Sequence, residues 1–282
     1  MEDYRSDAAI NKTLLNQADR FCGELLDHPV LSRYRDEITI ILKGSTAHGY
    51  SDCYSDVDLV VFCHQARKQE IVDEYVRQGL SQRRDGVFLP LGNWVGHYQI
   101  DTYEELTQAC SRDSAEYLWE YSGSKVLHDP RGIFAAAVNA GLETFQQKLP
   151  GLTKAKYLDC QLQLDWLRQP LRRADFGASM LYTSAVYSGI CQLLFLLQGK
   201  PYPCHKWLPY YFEQLDIPEA LKEQVGALPG LFARMREDFP ANLDLMEYPV
   251  YRQSSEIMEQ IQILLKETYG AAQWIGEWYL YV

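Results

Sequence analysis

Asp56 and Asp58 stand two residues apart at the head of the apolar run Asp58–Phe62, and the pair Gly44-Ser45 precedes them at the end of another apolar run. In an extended chain, residues i and i+2 share a face, so both carboxylates project together while Val57 points into the core. Two carboxylates on one face repel unless a cation joins them, and hard oxygen donors suit Mg²⁺, which completes its shell with water and substrate phosphate. Gly44 lets the backbone approach a ligand closely, the exposed amides of a Gly-Ser turn can hold phosphate oxygens, and the Ser45 hydroxyl can add a hydrogen bond. A lone Asp-x-Asp is more often a solvated strand end. The ordered set of strand, Gly44-Ser45, linker with Gly49, Ser55-Asp56-Val57-Asp58 and second strand is far more specific. The chemistry it suits is phosphoryl-centred group transfer, with metal ions about 3.5–4 Å apart neutralising charge on an α-phosphate and a leaving pyrophosphate.

The elements that must carry these residues follow from periodicity. Ala8–Leu26 reads as an amphipathic helix, Ile38–Leu42 and Asp58–Phe62 as buried strands, and Ala66–Gly79 as a helix. Val87–Leu89 and Trp94–Ile100 read as two more strands, separated by the breaker Pro90-Leu91-Gly92-Asn93. After His128-Asp129-Pro130-Arg131-Gly132 the spacing turns helical, in Lys154–Gln169, Ala174–Gln198, Lys206–Leu215 and Ser255–Thr268, punctuated at Pro150-Gly151, Pro201, Pro203, Pro209 and Pro229-Gly230. The expected architecture is an α/β domain with a short mixed sheet over residues 1–130, then an all-α helical bundle over 131–282 that closes over the site.

The stretch Lys43–Phe62 resembles the nucleotidyltransferase superfamily that includes DNA polymerase beta and the kanamycin, streptomycin and lincosamide nucleotidyltransferases. The shared signature, Gly-Ser, about ten residues, then Asp-x-Asp, is met by Gly44, Ser45, Asp56 and Asp58. The layout of a small α/β part followed by a helical part is closest to the antibiotic nucleotidyltransferases. The resemblance implies a Mg²⁺-dependent enzyme that moves a nucleoside monophosphate, AMP from ATP first of all, onto a hydroxyl of a small acceptor of the aminoglycoside or lincosamide kind. It also implies a third carboxylate on a later strand, as metal ligand or general base. In Trp94–Asp101, residues His97, Gln99 and Asp101 share one face, and Asp101 is the acid among them. Asp101 is therefore the expected third metal ligand and base, against a role as cap of the helix begun by Glu104-Glu105, with His97 the alternative base.

A triphosphate also needs cations. Arg172 and Arg173, read as leading a helix, and Lys206, in a Pro-x-x-Lys-Trp element similar to one in helical domains of this superfamily, are the candidates. Tyr50 and Tyr54 flank the motif and could contact a base or acceptor ring, whereas His48 reads as a loop-surface histidine.

The remaining composition narrows the partners. With 38 acids against 27 Lys plus Arg, the net charge is −11, which argues against a long nucleic acid. Such a surface suits a cationic small acceptor, and more simply an ordinary soluble surface. Hydrophobic residues at 47% supply a core without a mark of disorder. The first residues lack a secretory pattern and no apolar run is read as a membrane span, so the expected compartment is the cytoplasm. The seven scattered cysteines, without a CxxC pair, read as buried hydrophobes or free thiols. Rival readings are a toxin-like transferase acting on a protein or tRNA, and an inactive nucleotide-binding regulatory module. The presence of both aspartates and Gly44-Ser45 disfavours the inactive module.

Overall fold

The computed structural model describes residues 7–81, 88–91, 95–112, 115–234 and 243–282. Its contacts divide the chain into two units, Met1–Phe145 and Gln146–Val282.

The first unit opens with α1 (Ala8–Leu26), whose N-terminus is closed by Asp7: the side chain accepts from the amides of Ala9 and Ile10. The chain then forms β1 (Thr39–Lys43), a single turn α2 (Gly44–Ala47), β2 (Val57–Cys63), α3 (Gln65–Arg77), β3 (Phe88–Leu91), β4 (Gly96–Thr102), α4 (Tyr103–Ser111), α5 (Ala115–Ser122) and β5 (Lys125–His128). The five strands make one mixed sheet in the order β3-β4-β2-β1-β5. β2 and β4 run parallel, and the other pairs are antiparallel. The unit is thus α/β with a small mixed sheet.

Both faces of this sheet are covered, which is why β1 and β2 read as continuous apolar runs. On one face Ile40, Leu42, Leu59, Val61 and Ile100 pack with Leu14, Ala18, Phe21 and Leu25 of α1 and Ile71, Val72 and Tyr75 of α3. On the other, Phe62 lies among the rings of Tyr103, Tyr121 and Phe134, with centroids 6.4, 5.9 and 5.9 Å away. Asp58 belongs to this second face, in register with Val60 and Phe62 along β2, at its open end.

Several expectations are corrected here. Val87 and the Gly92-Asn93 part of the breaker lie outside the described residues, but Pro90 and Leu91 are inside β3, where the edge position tolerates a proline that cannot donate. The cap of α4 is Thr102 rather than Asp101: its hydroxyl accepts from the Glu105 amide while Glu105 bonds back to the Thr102 amide. Pro150-Gly151 does not break the chain, because α6 runs unbroken from Ile133 to Arg172 with Pro150 and Pro170 inside it. Each proline removes one backbone donor, which the rest of a 40-residue ladder outweighs. The division between the two units, at Phe145 and Gln146, falls within α6.

Among the described residues, every element after β5 is helical. The second unit contains the remainder of α6, then α7 (Phe176–Leu197), α8 (Leu208–Phe212), α9 (Glu219–Arg234) and α10 (Pro249–Tyr269). Pro229-Gly230, expected to interrupt the chain, lies inside α9. Helix α7 carries no charged residue and is long and apolar enough to cross a membrane, contrary to the sequence expectation; 56% of its apolar window is buried inside the protein. Val186, Ile190, Leu193 and Leu194 of α7 are fully buried, as are Val225 and Leu228 of α9 and Ile257 and Ile261 of α10.

All seven cysteines are free thiols, five of them buried and Cys53 and Cys204 exposed.

Candidate functional site

Strand β1 delivers the chain to Gly44, whose φ of +72° is a left-handed conformation that favours glycine. A Cβ at this position would also lie 2.5 Å from Asp58 Oδ2, so the absence of a side chain is what lets the β1–α2 turn and the Asp58 carboxylate meet. Ser45 follows, half-buried, with its carbonyl accepting from the Tyr50 amide at 2.8 Å.

The loop that returns to β2 is held from inside. Thr46, fully buried, donates to the carbonyl of Asp56 at 2.8 Å and lies 3.1 Å from the Ser51 hydroxyl. Ser51, also fully buried, donates to Asn11 Oδ1 of α1 at 2.7 Å. The last turn before β2 is closed by Asp52, whose Oδ1 accepts from the Tyr54 amide and the Ser55 hydroxyl. This network fixes the backbone at Asp56, and nothing in the sequence pattern signals it, because Asn11 lies 40 residues before Ser51.

Asp56, Asp58 and His97 come together. In the parallel pairing Asp58 is opposite His97. His97 Nε2 is 2.6 Å from Asp58 Oδ1, and its Nδ1 is 3.4 Å from Asp56 Oδ2. One ligand atom from each of the three lies within 4.8 Å of the others. Gly96 makes this approach feasible, since a Cβ there would sit 2.2 Å from the Val57 carbonyl oxygen. The side chains of Asp58 and His97 are 23% and 22% exposed and that of Asp56 46% exposed, so the cluster opens to solvent on one side.

Asp101 is not brought to this cluster. It pairs with Phe62, four residues along β2 from Asp58, which at about 3.3 Å per residue is some 13 Å away. Its carboxylate accepts from Gln99 Nε2 at 2.6 Å and lies 3.9 Å from Lys68 Nζ. Its surroundings are those of a satisfied ion pair.

His48 is not a loop-surface group. Its ring stacks on Trp119 with centroids 4.0 Å apart and planes 2° apart, and a Cβ at Gly123 would fall 2.1 Å from His48 Cε1. Burial pulls its pKa down to about 4, opposed in part by a backbone hydrogen bond at Glu120. Tyr54 is 84% exposed and Tyr50 half-buried.

The expected triphosphate cations all belong to the second unit. Arg172 ends α6 instead of opening a helix, and Asp175 is the residue that caps α7. A cation at a helix C-terminus complements the macrodipole. Arg173 lines a cleft with Asp165, Trp166, Arg168 and Tyr182. Lys206 is exposed, with its ammonium 4.9 Å from the Trp207 ring centroid.

No family model and no curated protein matches the chain. Among solved structures, the chain is similar to a nucleotidyltransferase-like protein from Exiguobacterium sibiricum 255-15, with 8% identity, a TM-score of 0.46, and coverage of 86% of this chain and 77% of that one. A likeness at that level fixes neither fold nor function. What the molecule itself presents is an α/β unit with an Asp-Asp-His cluster at the open end of its sheet.

Proposed function

We propose that the protein is a divalent-metal-dependent nucleotidyltransferase that moves a nucleoside monophosphate, AMP from ATP first of all, onto the hydroxyl of a small acceptor. The observation that carries this reading is the convergence of Asp56, Asp58 and His97 within 4.8 Å, beside the left-handed turn at Gly44. The donor set fits a divalent cation: two carboxylates share a face, and Gly44 leaves Asp58 the space that a Cβ would fill. A bound cation supplies neutralisation of the triphosphate charge and acidification of the acceptor hydroxyl.

The residues of this chain supply the rest. Asp56 and Asp58 hold the cation, with the Asp56 backbone fixed by Thr46. Gly44 admits the triphosphate close to the main chain and the Ser45 hydroxyl bonds a phosphate oxygen. Arg172, Arg173 and Lys206 belong to this proposal as further triphosphate ligands. Of the two groups that the sequence offers as third member of the site, His97 stands beside the aspartates and Asp101 does not. In the reaction the acceptor oxygen forms a bond to the α-phosphorus, the α–β phosphoanhydride breaks, pyrophosphate leaves and the hydroxyl proton is released.

The net charge of −11 favours a cationic acceptor of the aminoglycoside or lincosamide type over tRNA. A protein acceptor is the second reading within the same chemistry. The inactive-module reading is disfavoured by the presence of both aspartates with Gly44-Ser45. Following pyrophosphate release from ATP and GTP with Mg²⁺ or Mn²⁺, with and without aminoglycosides, lincosamides and protein acceptors, tests the proposal. Release that depends on a small acceptor supports it; none with any pair of nucleotide and cation removes it.

A further inference from the structure

The third group of the cluster is a nitrogen donor, and its placement is constrained from two sides. On one side the Asp58 carboxylate lies against the Gly44 turn: a Cβ on Gly44 would be 2.5 Å from Oδ2. On the other, His97 is the register partner of Asp58, and its neighbour Gly96 lies close against the Val57 carbonyl. The imidazole is thus held with Nε2 at 2.6 Å from Asp58 Oδ1 and Nδ1 at 3.4 Å from Asp56 Oδ2. Two ligand atoms of one small octahedral cation, each at about 2.1 Å, sit about 3 Å apart. Nε2 of His97 and Oδ1 of Asp58 stand near that spacing, so the two could hold one cation together with a carboxylate oxygen of Asp56.

We infer that His97 is a cation ligand through Nε2, and that this nitrogen donor makes the site take Mn²⁺ in preference to Mg²⁺. Mg²⁺ is a hard cation that takes oxygen donors and sheds water reluctantly, whereas Mn²⁺, although the weakest binder of the first-row divalent series, also accepts an imidazole nitrogen beside carboxylates. The inference rests on the reading that Asp56 and Asp58 hold a divalent cation. It departs from the three-carboxylate pattern that the resemblance implies, and it makes His97 a ligand instead of the acceptor's base.

The test is on the full-length chain with the metals alone. Mn²⁺ affinity is measured by the loss of free-ion electron paramagnetic resonance signal, Mg²⁺ affinity by calorimetry, and nitrogen coordination by electron spin-echo modulation of the Mn²⁺ complex. The expected results are a ¹⁴N modulation in the parent that is absent in His97→Asp, and a Mn²⁺-over-Mg²⁺ preference at least tenfold smaller in His97→Asp than in the parent. His97→Gln, a neutral variant of similar reach, should lose the modulation as well, and circular dichroism melting of the metal-free proteins shows that both variants fold. A parent complex without ¹⁴N modulation, or a preference unchanged within threefold in His97→Asp, overturns the inference while leaving the metal site intact. Failure of the parent to bind either cation, or equal binding in Asp58→Asn, overturns the underlying reading of the site along with it.

Discussion

Asp58 Oδ2 faces the α-carbon of Gly44 so closely that a methyl group there would overlap it at 2.5 Å. The glycine is therefore a spacer for a carboxylate as well as a left-handed turn. Gly44→Ala should displace Asp58 and strain the backbone, with two separable results. Stability should fall by about 1–2 kcal/mol from the unfavourable φ, and kcat/KM for transfer should fall by about a hundredfold or more, equivalent to ~2.7 kcal/mol. Urea unfolding and steady-state kinetics on the same preparation check this. Kinetics within about threefold of the parent would detach Gly44 from the site.

Asp101→Asn is expected to be mild. The side chain lies on the Phe62 row with Lys68 and Gln99, so turnover should change by less than about threefold, against the 10²–10⁴-fold loss usual when a general base is removed. A loss of that larger size would return Asp101 to the chemistry.

These two cases show what was legible in the sequence. Ala8–Leu26 is found by its spacing with the same bounds as α1, and the strands around Gly44-Ser45 and Asp56-Val57-Asp58 by their short apolar runs. Period-two alternation also places His97 and Asp101 on one face of β4 correctly. It cannot say which of them meets Asp58, because that depends on the parallel register Val57↔Gly96, which tertiary packing sets. The same limit hides the chain of hydroxyls from Asn11 to Asp56, whose members are distant in sequence. β5 escapes notice because it is four residues long and partly exposed, and α9 because Pro229 lies inside it.

The stack of His48 on Trp119 makes stability depend on pH. Burial lowers the folded-state pKa of His48 to about 4, below the unfolded value of about 6.5. The unfolded chain then binds more protons between those values, so the contribution is complete above about pH 6.5 and is lost as pH falls toward 4. Between pH 7 and 4.5 the parent should lose up to about 2–3 kcal/mol more than His48→Phe, which keeps the stacked ring without the titration. Parallel urea titrations measure the difference, and identical acid slopes would contradict it.

Lys206→Ala should raise KM for the nucleoside triphosphate by about tenfold, with the KM for the acceptor little changed, since a lost ammonium–phosphate contact acts on the nucleotide alone. Arg173→Ala should give the same pattern if its cleft faces bound triphosphate, and no kinetic change if it serves α6 and α7 only. An unaltered KM in Lys206→Ala assigns that ammonium to the Trp207 face and the solvent.

The central claim is that Asp56 and Asp58 hold the cation through which the triphosphate reacts. It is tested most directly by pyrophosphate release from ATP in the presence of Mg²⁺ or Mn²⁺ and an acceptor, comparing the parent with Asp58→Asn. The amide keeps the volume of the side chain and removes the charge, so the fold should be retained by circular dichroism while release falls by at least about a thousandfold, ~4 kcal/mol of transition-state stabilisation. Release in Asp58→Asn within about tenfold of the parent, ~1.4 kcal/mol, would contradict the claim.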